Sequence, residues 1–450
     1  MLPDVALLRI FEIYLEKAWT EAWQTLVHVC RNWRNIVLGS PRRLNLRLFC
    51  TGSVPMRKKL DIWPLTPIVL SLNSFDPWNI DNAITALEHN NRICHLHISN
   101  ISSSRWENLW AALQQPFPAL TFLYIESNVE TPASFLGGSV PTLQTLYLDR
   151  VSFPGLPKLL LSATHLCYLS ISRIPDSGYI LPEAMVACLS VLTRLEYLHI
   201  GFESPPNRPT RRPPPQTRVH LPVLTRLYFK GVAEYLEDLV APIDAPLLDN
   251  LRITFFHQLI FDTPQLAQLI NRTPKFKAHC DARVRITYRD VKVALPPSFD
   301  VAIVLGIAEQ SDEGLSSVVQ LCNSPIFPAL IPAVEHLYFY GNGYSYPVPS
   351  SQESHLWLKL FRVFPAVKDL SISDKFMSHI ASALQELVEE RVTEVLPALQ
   401  ILFLEEPLRP GRVQEAIEKF VAARQLASHP LVISRWERKK TDCSDEFYYG

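Results

Sequence analysis

Apolar positions along most of this chain return as apolar-x-x-Leu-x-apolar. The kernel occurs at Ile93/Leu96/Ile98, Leu120/Leu123/Ile125, Leu143/Leu146/Leu148, Leu166/Leu169/Ile171 and Leu195/Leu198/Ile200. It continues at Leu224/Leu227/Phe229, Leu248/Leu251/Ile253, Val334/Leu337/Phe339, Val367/Leu370/Ile372 and Leu399/Leu402/Leu404. From Leu96 to Leu251 the central leucines step by 27, 23, 23, 29, 29 and 24, and from Leu337 to Leu402 by 33 and 32. Period-two alternation within each kernel predicts a short strand whose alternate residues face a core. Between kernels the spacing becomes helical, as in Trp106/Leu109/Trp110/Leu113 and Met185/Cys188/Leu189/Leu192. Pro118, Pro141, Pro222, Pro246, Pro332, Pro365 and Pro397 stand just before kernels and enforce the corner into each strand.

A kernel of this form at periods of about 20 to 29 residues marks leucine-rich repeats. The expected fold is α/β, an irregular solenoid or horseshoe in which each strand-plus-helix unit buries its apolar edge on its neighbours. Two features depart from a regular array. The Asn three places beyond the kernel occurs only as Asn128 and Asn342. The period also breaks between Leu251 and Leu337, where Val284/Ile286/Tyr288 and Val291/Val293/Leu295 alternate around Arg289-Asp290. Degenerate units or an inserted β-hairpin both fit that segment, 255–330. At the far end Val413, Ile417, Phe420 and Val421 predict an amphipathic helix and Leu431-Val432-Ile433 a strand, together a polar-backed cap. The charged residues 437–450 are expected to form a flexible tail.

The first forty residues read differently. Residues 4–17 predict a helix with Pro3 and Asp4 at its start and two apolar stripes, Val5/Leu8/Phe11/Leu15 and Leu7/Ile10/Tyr14. A second helix turns Ala22, Trp23, Leu26, Val27 and Cys30 inward, and a third carries Trp33, Ile36 and Val37 and stops at Gly39-Ser40-Pro41. A helix that is apolar most of the way round needs cover on more than one side. Three short helices cannot bury that much apolar surface among themselves.

Leu2-Pro3, the Ile/Phe-rich helix, Leu26 and Val29-Cys30-Arg31-Asn32-Trp33-Arg34 resemble the F-box motif. The resemblance implies docking on the Skp adaptor of a Skp–cullin–F-box ubiquitin ligase. It implies that Leu2, Pro3, Ile10, Leu26, Val29, Cys30 and Trp33 lie in or directly behind that contact. The chain departs from the family pattern in beginning one residue before the Leu-Pro. The layout, with Arg42-Arg43-Leu44-Asn45-Leu46-Arg47-Leu48 after the third helix and Ser434-Arg435-Trp436-Glu437-Arg438 near the end, looks like the F-box/leucine-rich-repeat proteins of mushroom-forming fungi. The expected domains are therefore an F-box-like helical domain at 1–42, a solenoid at 43–436 and the tail.

Composition narrows the chemistry. The chain of 450 residues is 48% hydrophobic and 19% charged, so it can build large cores. It holds 37 Pro and only 14 Gly, which suits many short elements with rigid corners and disfavours Gly-rich phosphate loops. Net charge is −1, so no global field draws it to nucleic acid or membrane. Residues 1–60 carry ten basic and four acidic residues, a local excess suited to an acidic adaptor surface. Eight scattered Cys without a CxxC read as free thiols of an intracellular protein, in cytoplasm or nucleus. Cys94-His95-Leu96-His97 divides its side chains between two strand faces and has no matching ligand pair, so no metal or cofactor is expected. Neither a secretory signal nor an apolar span of bilayer length is read from the sequence. Residues 204–218, rich in Pro and Arg, read as a solvated insertion between two kernels.

Hydrolase and phosphate-binding motifs are absent from the sequence. The expected function is a non-catalytic substrate receptor that holds the Skp adaptor, and through it a cullin, with its N-terminal helices and a target protein with its repeats. The competing expectation is a repeat scaffold that binds a protein partner without ubiquitin transfer.

Overall fold

The computed structural model describes residues 2–17, 21–41, 43–50, 55–63, 66–73, 80–205, 218–256, 263–276, 280–287, 290–295, 302–308, 314–324, 330–341, 351–387, 392–405 and 410–436. Most of the Pro/Arg insertion at 204–218, Asn342 and the whole segment 437–450 lie outside these residues. The chain divides into two compact units, Met1–Ser204 and Pro205–Gly450.

The first unit opens with α1 (Asp4–Lys17), α2 (Trp23–Val29) and α3 (Arg31–Gly39). Seven strands follow: β1 (Leu48–Cys50), β2 (Ile68–Leu72), β3 (Ile93–Ile98), β4 (Phe122–Glu126), β5 (Thr145–Asp149), β6 (Tyr168–Ile174) and β7 (Tyr197–Phe202). They pair in chain order, every neighbour parallel. Parallel neighbours require a crossover, which the helical stretches between kernels supply. The kernel leucines stand in one register row, Leu96 beside Leu123, then Leu146, Leu169 and Leu198, and all five are fully buried. Leu70 of β2 pairs with Leu96 and extends the row one strand beyond the first recognisable kernel.

Corner chemistry recurs as well. The first kernel residue donates its N–H to the carbonyl three residues earlier at Leu120, Leu143, Leu224, Leu248, Val334 and Leu399. In each of these turns Pro occupies the second position (Pro118, Pro141, Pro222, Pro246, Pro332, Pro397). There its ring pre-sets the φ that a tight turn requires.

The second unit holds β8 (Val219–His220), β9 (Arg226–Gly231), β10 (Ile243–Asp244), β11 (Asn250–Phe256), β12 (Asp281–Ile286) and β13 (Asp290–Leu295). It continues with β14 (Ala302–Ala308), β15 (His336–Gly341), β16 (Asp369–Ile372), β17 (Ile401–Leu404) and β18 (Val432–Arg435). β8 and β10 form a separate parallel pair. The other strands lie in the order β9-β11-β14-β13-β12-β15-β16-β17-β18.

The irregular segment is thus a hairpin with a third strand. β12 and β13 are antiparallel, with Val284 opposite Val293 and Ile286 opposite Val291. β13 then pairs antiparallel with β14, which returns to lie parallel beside β11. The hairpin is held by Thr287, whose N–H donates to the Asp290 carbonyl at 2.9 Å and whose hydroxyl accepts from the Asp290 N–H at 3.0 Å. Because β12 and β14 keep the common strand direction, both can join kernel strands; only β13 runs against it.

Several helices between strands touch the next helix, among them Ala233–Val240 and Pro264–Arg272. The buried Glu237 carboxylate, in helix Ala233–Val240, accepts the N–H groups of Gln265 and Leu266 at 2.7 and 2.9 Å. It thereby caps the start of the next helix, Pro264–Arg272, where unpaired N–H groups favour an anion. The C-terminal helix falls at Arg412–Leu426, with Ile417 and Phe420 buried. Asn128 is exposed, so that position forms no buried amide row.

Candidate functional site

The three N-terminal helices sort their apolar residues into an inner and an outer set. Leu7 and Phe11 of α1 are buried, and Phe11 meets Trp33 of α3 edge-on at 4.8 Å. Leu2, Val5, Ile10, Ile13 and Tyr14 are exposed, Val5 to 70% and Ile10 to 48%. The two stripes read from sequence are therefore regrouped. Leu7 joins Phe11 on the side facing Trp33, and Val5 falls on the opposite side with Ile13. A separation of about 100° per residue explains the change.

Leu2, Pro3, Ile10, Val29 and Cys30 are exposed, Trp33 is half-buried, and Leu26 is buried at 6% with Trp23 and Val27. Leu26 packs within the chain rather than on the surface. Cys30 does not turn inward as its place after α2 suggested. It is the extended residue that caps α3, and its Sγ accepts the Trp33 N–H at 3.5 Å. The Cys-x-x-Trp spacing is thus also a cap-to-N3 spacing, the separation at which a side chain satisfies a first-turn N–H.

Polar contacts fix the bundle to the first strands. Glu21, at φ 67°, accepts the Phe49 N–H at 2.8 Å and both carboxylate oxygens take Lys59 Nζ, at 2.9 and 3.0 Å. Lys59 Nζ also donates to the Phe49 carbonyl at 2.8 Å, and Trp23 Nε1 donates to the Arg47 carbonyl at 3.0 Å. Glu12 accepts from Arg43 and, at 2.9 Å, from Arg9; these guanidinium groups hold its carboxyl down at about 2.

A second candidate surface is the strand face opposite the kernel leucines in the first unit. Its residues form a continuous aromatic ladder. His95 stacks on Phe122 at 3.9 Å, Tyr124 and Phe122 both reach Tyr147, Tyr147 meets Tyr168 at 4.6 Å, and Tyr168 stacks on Tyr197 at 3.9 Å. His97 lies against Tyr124 at 4.4 Å. Burial lowers the His95 imidazole to about 4, with Arg47 and His97 adding like-charge repulsion. Burial also lowers His97 and raises the Tyr147 phenol. These rings are half-exposed neutral groups, suited to contact with a polypeptide rather than to proton transfer at neutral pH.

An ion cluster lies beside the ladder, where Glu126 and Asp149 pair two residues beyond Tyr124 and Tyr147. Arg150 and Arg173, both with left-handed backbone at φ 57° and 49°, meet Glu126 and Asp149. Arg173 Nε donates to Asp149 Oδ1 at 2.6 Å, and the Ser172 hydroxyl reaches the same oxygen at 3.1 Å. Sequence reading assigned the ring-bearing positions only as strand residues. Their lateral adjacency comes from the register between repeats, which a single kernel does not specify.

Among the described residues, no group of three or more His, Cys, Asp or Glu side chains could hold a metal ion. Cys30, Cys50, Cys94, Cys167, Cys188, Cys280 and Cys322 are free thiols, and burial pushes Cys50 and Cys188 up to about 11, away from nucleophilic use. No described helix is long and apolar enough to cross a membrane. In comparisons with known proteins, no family model and no curated protein matched the chain.

Proposed function

We propose that this chain is the substrate-recognition subunit of a Skp–cullin–F-box ubiquitin ligase. In this reading α1–α3 are the F-box helices, the stacked strands are a leucine-rich-repeat solenoid, and the protein works inside the cell without catalysing a reaction itself. The observation that carries it is the outer face of α1. Leu2, Val5, Ile10, Ile13 and Tyr14 stay exposed while Leu7 and Phe11 anchor the helix, so the helix is built to be covered on both sides. The exposed Val29 and Cys30 belong to the same motif, and the resemblance assigns that motif to the Skp adaptor. A target protein would occupy the strand face.

The scaffold reading without ubiquitin transfer also has an observation behind it. Leu26 and Cys30, two of the motif positions, serve the chain's own fold as core and cap. Co-purification of a Skp adaptor with the full chain separates the two. Wild type should retain the adaptor, and the double variant Val5→Asp/Ile13→Asp should lose it with an unchanged melting temperature. A wild-type chain that retains no adaptor removes the ligase reading and leaves the scaffold.

A further inference from the structure

β18 is the last strand of the second unit's sheet, and among the described residues it pairs only with β17. Val432 donates its N–H to the Gln400 carbonyl at 2.9 Å, and Trp436 donates to the Leu404 carbonyl at 2.7 Å. In a parallel ladder alternate residues bond to the same neighbour, so Val432, Ser434 and Trp436 face β17. Leu431, Ile433 and Arg435 turn their N–H and C=O groups to the other side, where no described residue pairs with them.

The first strand of the first unit is finished differently. Leu48 of β1 bonds toward β2, donating to the Pro67 carbonyl at 2.8 Å, so Phe49 is the outward residue. Its N–H is taken by the Glu21 carboxylate and its carbonyl by Lys59 Nζ, each at 2.8 Å. Side chains close that edge, and none closes the edge at Ile433.

The side chains of β18 are equally uncovered. Register places Ile433 beside Leu402, which stands beside Leu370. Leu370 and Leu402 are fully buried, but Ile433 is 39% exposed and Val432, on the other face, is 61% exposed. An edge strand with apolar side chains, no Pro and one charge, Arg435, is a template for a further strand.

We propose that β18 is a dimer contact, pairing antiparallel with β18 of a second copy about a two-fold axis at Ile433. The choice of occupant follows from the backbone. Centred on Ile433, the pairing sets Ile433 opposite its own copy and Leu431 opposite Arg435. All three outward residues then exchange bonds with the second copy, about six in total. Centring on Val432 or Ser434 leaves one of the three without an opposite among them. Arg435 meets Leu431 rather than a second Arg435, so no like charges are opposed. Ile433 against Ile433 also covers the open end of the leucine row. Each copy uses its single edge in the contact, so assembly closes at two instead of growing into a fibre. The contact does not involve α1 and stands whether or not an adaptor binds there.

The test is analytical ultracentrifugation of the full chain alone, across a wide concentration range. Wild type should shift toward twice the mass of one chain as concentration rises. Ile433→Pro removes an outward N–H and no bond to β17, and should weaken the dimer about tenfold or more. Val432→Lys puts an ammonium on the edge at a position already exposed, and should weaken the dimer while melting as wild type does. The register has its own readout. Residues opposite themselves in such a pair have Cα atoms about 5.5 Å apart, within disulfide reach. Ile433→Cys should therefore give an oxidised, covalent dimer beyond the wild-type background, and Val432→Cys, opposite Ser434, should not. A wild type that stays monomeric at every concentration overturns the proposal, even where the edge binds an extended peptide. So does a dimer that Val432→Lys and Ile433→Pro leave unchanged, or one in which Ile433→Cys links no better than Val432→Cys.

Discussion

Arg424 Nη2 donates to the Leu399 carbonyl at 2.8 Å from a side chain that is fully buried. The same guanidinium donates through Nη1 to the Leu396 carbonyl at 3.1 Å. Helix Arg412–Leu426 is thereby locked to the turn that enters β17. Replacing Arg424 by Met removes a donor from both carbonyls, of which Leu396 keeps the Leu399 N–H, so the unit should lose about 2–4 kcal/mol, read by urea unfolding. Arg424→Lys should recover little of it, because an ammonium cannot span two carbonyls as the planar fork does.

The kernel row gives the second prediction. Leu146 is buried between Leu123 and Leu169 in the register of β4, β5 and β6, so Leu146→Ala opens a cavity that neighbouring strands cannot close. The expected loss is about 2–5 kcal/mol. Leu161, on the outer side of a return helix and 47% exposed, is the control: Leu161→Ala should stay within about 0.5 kcal/mol of wild type. Equal effects at the two positions would contradict the register.

Much of this architecture was legible because the kernels encode it twice, through alternation within a strand and through period between strands. The period-two run at Val284–Leu295 fitted the hairpin but fitted degenerate units as well, and only the antiparallel pairing of β12 with β13 decides between them. Its insertion order was not legible, since β14 finds β11 through long-range pairing and no local signal distinguishes that from β12 finding β11. In the N-terminal bundle the sequence showed that α1 was over-supplied with apolar residues. It did not show which stripe the chain would keep, because that depends on where Trp33 arrives. The aromatic ladder shares this property: each side chain was visible, but their adjacency belongs to the register.

The cap at α3 separates structure from contact at one residue. Cys30→Ser keeps an acceptor for the Trp33 N–H and should match or exceed wild-type stability, since Ser caps better than a thiol. Cys30→Ala should cost about 0.5 kcal/mol or more by thermal unfolding. If both variants lose adaptor equally while only the Ala variant loses stability, the thiol contributes to the contact as well as to the cap.

The aromatic ladder makes stability depend on pH. His95 titrates at about 4 in the folded chain, chiefly because burial beside Phe122 disfavours the imidazolium, against an ordinary value of 6.5. Its folded pKa is depressed, so between these values the unfolded chain binds a proton that the folded chain does not. The stabilising contribution is present above about pH 6.5 and is lost as pH falls toward 4. His97 is shifted in the same direction and adds to the trend. A phenyl ring at position 95 can keep the stack on Phe122 without a titrating group. His95→Phe should therefore flatten the pH dependence of the melting temperature between 6.5 and 4, gaining most on wild type at the acid end. Parallel melting curves for the two proteins across that window would show that the imidazole protonates as readily in the folded chain as in the unfolded one.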